Sequence, residues 1–359
     1  MAVLDRVLPL LLVSGLASCA ATTEPLPPPE ERLLVVNAGE NSLSLIPTEV
    51  GRPSRKILAP GLRGGASDIS AVGRVAIVSS QSNDSLAVFD LRLEEVRNWY
   101  AFPAGSKPSA VVLLSEQVAY VANAGTNTVT RLNLLTGDTA SVAVGQYPRD
   151  LVLTRGRLFV VNANVEPCPE GTCSLGESWI TVVDPQTNAR AAGRDSIPLP
   201  TPGNARSATL GGDGLIYIVS TGDTTSEVSG RLSIVDPIQR QEVGSFAGFG
   251  FVPWGVASDG AERLFVTSIQ DGLMEFNTRT RRVVRGAGQG IFVLNNVAAA
   301  VDPAGRIYAI EATGCDAGQA GRLRVFRPDL TQARDLALGV CPVAVTLVLL
   351  PGLGGLAAP

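Results

Sequence analysis

The chain has no histidine in 359 residues. That removes the commonest general base, the commonest metal ligand and the usual axial ligand of haem. No serine therefore has its habitual activator, and neither a GxSxG elbow nor an SxxK pair offers a substitute. Charged residues are scarce at 17%, the formal net charge is −4, and no basic run occurs. Nucleic acid is gripped through its phosphates by clustered Lys and Arg, so it is excluded as a partner. Long apolar runs are missing too, because residues 7–16 and 343–350 are both too short to cross a bilayer as helices. The glycine-rich pieces GLRGG (61–65) and GAGQG (286–290) lack the strand–helix context of a phosphate loop.

Plentiful instead are glycine (38 residues), proline (24) and apolar side chains (45%). Such a composition suits many short strands and turns rather than helices. A length of 359 residues exceeds what one compact core usually holds, yet repeat folds reach it as a single domain.

A repeat is indeed present. YVANAGTNTVTRLNLLTGDTASVAVGQYPRDLVL (120–153) parses as four short strands of alternating apolar and β-branched residues, punctuated by Gly, Asn, Asp and Pro. Its opening strand recurs at 33–38, 75–80, 158–163, 216–221, 264–269 and 307–312, each followed by a partner strand. The spacing is roughly 40–60 residues, the period of propeller blades and similar units. The unit resembles the YVTN repeat of seven-bladed β-propellers, matching at Tyr120, Val121, Asn123, Asn127, Thr128, Val129, Gly145 and Pro148. The resemblance covers residues 32–350 and implies an all-β, seven-bladed β-propeller. It says little about activity, because the family's functions are diverse. In that family the strand after the Pro is the innermost of each blade. The first repeat lacks one, and CPVAVTLVLL (341–350) is an inner strand with no blade of its own. The ring is therefore expected to close by residues 342–350 joining the blade formed by 33–61, with 351–359 as a tail.

The N-terminus carries a thin positive region, an apolar stretch and Leu16-Ala17-Ser18-Cys19. This resembles the signal peptide and lipobox of bacterial lipoproteins, which implies removal of residues 1–18 and acylation of Cys19, palmitate being the expected lipid. A plain secretory leader cleaved nearby is the other reading. In the lipoprotein reading Ala20, not being Asp, implies sorting to the outer membrane, on its periplasmic or surface side. Residues 19–31, with three consecutive prolines, then form a semi-rigid tether.

With Cys19 lipidated, four cysteines remain, an even number for an exported protein. Cys168–Cys173 and Cys315–Cys341 are the expected pairs. A four-cysteine metal site is disfavoured, since paired CxxC motifs are absent. Alternate connections of antiparallel strands fall on opposite faces. One face collects tight turns such as LTGD and DPAGR; the other collects longer, irregular loops at 164–178, 196–204, 222–230, 247–253, 288–296 and 313–321. Irregular loops on a rigid scaffold are where binding residues gather, although insertions also simply tolerate drift.

Residues at the start of each inner strand are expected to line the channel mouth: Ser67-Asp68, Ser109-Ala110, Arg149-Asp150, Arg206-Ser207, Trp254-Gly255, Asn295-Asn296 and Val343-Ala344. Asp68, Arg149, Asp150, Arg206, Trp254, Asn295 and Asn296 are the candidate ligand-binding groups. Their oxygens could hold Ca²⁺, and the arginines with Trp254 an anionic or aromatic ligand. Alternatively the aspartates pair with neighbouring arginines or cap turns. Phe249, Phe251, Trp254 and Phe292 are either contact anchors or loop-core residues. The function read from all this is a non-enzymatic, lipid-anchored binding or scaffold propeller, monomeric and without a required cofactor. Its partner would be an envelope protein, a cell-wall component or a small molecule. The alternative is a lactonase-like hydrolase with a metal or carboxylate/Arg site at the mouth.

Overall fold

The computed structural model describes residues 29–165, 176–200, 203–223, 228–313, 315 and 318–351. It is all-β: seven antiparallel sheets arranged in a ring, with one short 3-10 turn at Pro60–Leu62 among the described residues. This is a seven-bladed β-propeller, as the repeat implies. Six blades follow one another in sequence order, beginning with the inner strands Ala66–Val72, Pro108–Ser115, Pro148–Thr154, Ala205–Leu210, Pro253–Ser258 and Asn296–Val301 (blades 2 to 7). Blade 1 is composite. Its inner strand is Pro342–Leu350, and its other three are Glu30–Asn37, Ser42–Pro47 and Arg55–Leu58. The closing pair runs antiparallel from Glu30 opposite Leu350 to Asn37 opposite Pro342. Closure leaves the ring without an open end, which removes edges that would otherwise pair with other chains.

The second strand of each blade explains why a ring forms. Its residues are buried on both faces, as in Leu33, Leu34, Val35 and Val36, because each blade is covered by a neighbour on either side. Alternation then divides the core. Leu34 and Val36 pack toward Ala76, Val78 and Phe89 of blade 2, whereas Leu33 and Val35 pack toward Tyr308 and Ile310 of blade 7. Seven apolar clusters result, one at each blade-to-blade interface. Burying one such Leu or Val contributes about 1.5–3 kcal/mol, so the interfaces together dominate stability.

The asparagine ending the second strand in three blades is structural. Asn123 Nδ2 donates to Thr128 Oγ1 and Thr130 Oγ1 at 3.2 and 2.9 Å, Asn37 does the same to Ser42 and Ser44, and Asn162 to Thr181. One turn later, Asn41, Asp84 and Asn127 adopt positive φ, which short polar side chains tolerate. Their side-chain oxygens accept main-chain N–H groups of Gly64, of Gly105 and Lys107, and of Tyr147, all in the segment leading into the next inner strand. Local turn chemistry thus couples neighbouring blades on the face that carries the mouth.

Candidate channel-mouth site

Every inner strand begins with a β-bulge. The pairing register skips Ser67, Ser109, Arg149, Arg206 and Trp254 in blades 2 to 6, Val297 and Ala298 in blade 7, and Val343 in blade 1. The residue just before the strand has positive φ in six blades: Lys107, Tyr147, Asn204, Val252, Asn295 and Cys341. A bulge bends its strand and re-aims one side chain. Repeated around the ring, it sends one to three residues of each inner strand into a common cavity of about 430 Å³. Pockets of this size accept small organic ligands.

The cavity is lined by Asp68, Arg149, Asp150, Arg206, Ser207 and Trp254 on one side, and by Val256, Val297, Ala299, Val343 and Val345 on the other. Five of the seven candidate groups are thus brought together. Asn295 and Asn296 are not. Asn296 is buried in its own blade, where its amide nitrogen, oriented to suit its neighbours, donates to the carbonyls of Ala298 and Ile310. Asn295 supplies the left-handed turn before it. In blade 7 Asn296 stands where every other inner strand begins with Pro or Ala, so the channel there receives Val297 and Ala298, which follow it. Ser67 and Ser109 line the mouth but bond elsewhere, donating to the carbonyls of Pro108 and Pro148 in the next blade at 2.9 and 2.6 Å.

The two aspartates neither pair with arginines nor cap turns of their own blade alone. Asp68 Oδ2 accepts the N–H of Val111 at 2.9 Å, and Asp150 Oδ2 that of Ala208 at 2.7 Å, each on the neighbouring inner strand. Burial pushes the Asp68 carboxyl up to about 6 against the pull of the Val111 and Ile69 N–H groups. Burial, reinforced by the negative charge of Asp68, pushes Asp150 up to about 7. Both keep some surface facing the cavity, yet protein surrounds them closely enough to disfavour the charged form.

The arginines are differently placed. Arg206 lies over the Trp254 ring, 3.3 Å from its centroid, and Arg149 over Tyr147 at 4.5 Å. Neither guanidinium has a salt bridge or hydrogen bond among the described residues, and Arg149 Nε is buried without a partner. Burial and the like charge of Arg149 push Arg206 down to about 9, and burial lowers Arg149. A guanidinium stays protonated in proteins, so both are cations at neutral pH. A Ca²⁺ ion, which takes six to eight oxygens, does not fit two carboxylates already accepting N–H bonds beside two cations. No group of three metal-ligating side chains occurs among the described residues.

The described residues at which the irregular loops begin lie on the mouth's face. Main-chain bonds tie Ala163 N to Tyr147 O, Thr221 N to Asn204 O and Ala312 N to Asn295 O. Of the aromatic candidates, Phe249 is fully buried against Phe276, whereas Phe292 is 75% exposed. Cys315 lines the cavity and is disulfide-bonded to Cys341, with Cα atoms 4.6 Å apart. Cys168 and Cys173 lie outside the described residues, as does Cys19.

Comparison with known proteins adds to the fold only. No family model matches the chain, and no curated protein does. Among solved structures, hydrazine synthase from Kuenenia stuttgartiensis is similar, with a TM-score of 0.61 and 15% identity over 78% of this chain and 88% of that one. In all, 1327 solved chains match, and an architecture shared so widely does not select a function.

Proposed function

We propose that this protein is a non-enzymatic binding propeller of the bacterial envelope, of the YVTN-repeat kind, anchored through a lipid on Cys19. In this reading its loop-bearing face meets an envelope protein, a cell-wall component or a small ligand. One observation carries the reading. The described ends of the irregular loops of blades 4 to 7 lie on the face where the mouth opens, and among the described residues the mouth holds guanidiniums and main-chain-bonded carboxylates rather than a nucleophile with its base.

The chain direction supports an orientation. Glu30 pairs with Leu350, at the end of the closing strand away from the mouth. The described chain thus begins on the face opposite the mouth, and in this reading a lipid at Cys19 turns the loop face away from the membrane. That arrangement suits a receptor or scaffold.

Photocrosslinkers placed at Phe292 on the loop face and at Leu135 on the opposite face test this in cells. Both side chains are exposed, at 75% and 67%. Adducts are expected from Phe292 alone, and Cys19→Ala should move the protein from the membrane to the soluble fraction. Equal adducts from both positions, or unchanged membrane association of Cys19→Ala, would refute the reading.

A further inference from the structure

We propose that the channel mouth is a carboxylate site for a small amphipathic acid: Arg149 and Arg206 take the carboxylate, and the valine-rich wall opposite takes an apolar body. The inference names a ligand class for the binding face described above and rests on reading that face as the functional one.

The first observation is a pair of cations that make no ion pair or hydrogen bond among the described residues. A buried guanidinium is normally paired, because leaving it unpaired forfeits its solvation without return. Here two half-buried ones face one cavity with no carboxylate bonded to either among the described residues. The two aspartates of the same mouth have their oxygens turned to the N–H groups of Val111, Ala208 and Leu151. Arg149 Nε is buried and unsatisfied. An anion entering the cavity would supply the missing acceptor.

The second is how the guanidiniums are held. Each lies over an aromatic ring, Arg206 over Trp254 and Arg149 over Tyr147. Stacking occupies the face of a guanidinium and leaves its in-plane N–H donors free, the edge that a carboxylate meets with two parallel hydrogen bonds. Because the rings position the cations beforehand, little side-chain entropy is lost on binding.

The third is the balance of charge and polarity. Two arginines are opposed by two aspartates that burial drives toward their neutral forms, with Tyr147 as the remaining titratable neighbour. With folded values of about 6 and about 7 those carboxyls are still partly ionised at neutral pH, so the net positive charge is small, which favours a monoanion over a dianionic phosphate. Val256, Val297, Val343 and Val345 across the cavity offer no polar side chain, so the part of the ligand that meets this wall is apolar.

Titration of the purified full-length protein with 3-phenylpropionate, followed by calorimetry, tests the site. Saturable one-to-one binding is expected, with the neutral isostere 3-phenylpropanamide about ten- to hundredfold weaker, the usual worth of a hydrogen bond to a charged group. Arg149→Gln and Arg206→Gln should each weaken binding by a similar factor, and Arg206→Lys should not restore it. Equal affinity for acid and amide would overturn the proposal, as would tighter binding of inorganic phosphate or unchanged affinity in both glutamine variants. If a variant fails to fold, the acid–amide comparison on the unaltered protein still decides. Crosslinks in cells and acid binding in solution are separate readouts, so either can fail while the other stands.

Discussion

Asp68 reaches out of its own blade to accept the main-chain N–H of Val111 at 2.9 Å, so a carboxylate at the mouth of blade 2 holds the innermost strand of blade 3. Asp150 repeats the arrangement between blades 4 and 5 through Ala208. These contacts come where the strands are most crowded and hold neighbouring blades in register.

Replacing Asp68 or Asp150 by alanine leaves a buried N–H without an acceptor. Each substitution should lower the free energy of unfolding by about 1–3 kcal/mol. Denaturant titration would show it as a lower midpoint with an unchanged slope. A midpoint equal to that of the unaltered protein would mean that water replaces the carboxylate fully.

The same carboxyls set a pH dependence. Their folded pKa values, about 6 for Asp68 and about 7 for Asp150, lie above the ordinary value near 3.9. Between about pH 4 and 7 the folded protein therefore binds more protons than the unfolded chain, so their contribution to stability falls as pH rises and levels off above that window. Glu40 works the other way: hydrogen bonds from Lys56 and Ser42 outweigh its burial and lower its pKa. The comparison is accordingly with Asp150→Asn, in which the loss of stability from pH 5 to pH 8 should be smaller than in the unaltered protein.

The Cys315–Cys341 disulfide ties a loop of blade 7 to the residue that starts the closing strand, across 26 residues of sequence. By the loop-entropy relation, opening it should cost about 3.5 kcal/mol. Cys315→Ser with Cys341→Ser should melt earlier than the oxidised protein and be insensitive to reductant. Identical melting in both forms would show that the strand pairing alone holds the ring shut.

Removing residues 341–359 deletes the innermost strand of blade 1. Leu33 to Val36, fully buried in the closed ring, would then border an open sheet edge. The truncated chain should aggregate or lose its cooperative unfolding transition. A soluble, cooperatively folding product would mean that closure is dispensable.

The fold was largely legible because its determinants are local and repeated. The β-branched alternation of VVNA and YVANA, the Asn-Thr turns and the orphan strand 342–350 each need only a short window of sequence. The pairing of Cys315 with Cys341 followed from placing both beside the closure. The mouth was legible in six blades, where Pro or a small residue marks the start of the inner strand. It was misplaced in blade 7, because that inner strand opens on Asn296 where the others open on Pro or Ala, so GQGIFVLNNVAAAV carries no marker for its first residue.

By itself the sequence determined which segments become strands and how many blades they build, since apolar periodicity and turn residues act over a few positions. Only the tertiary structure decided which side chains meet in the channel and which of them are left without partners. The bulge reverses the facing that strict alternation would assign, and the acceptor roles of Asp68 and Asp150 involve N–H groups 43 and 58 residues away. Whether Arg149 and Arg206 stand unpaired depends on those distant bonds, because the nearby carboxylates are already engaged.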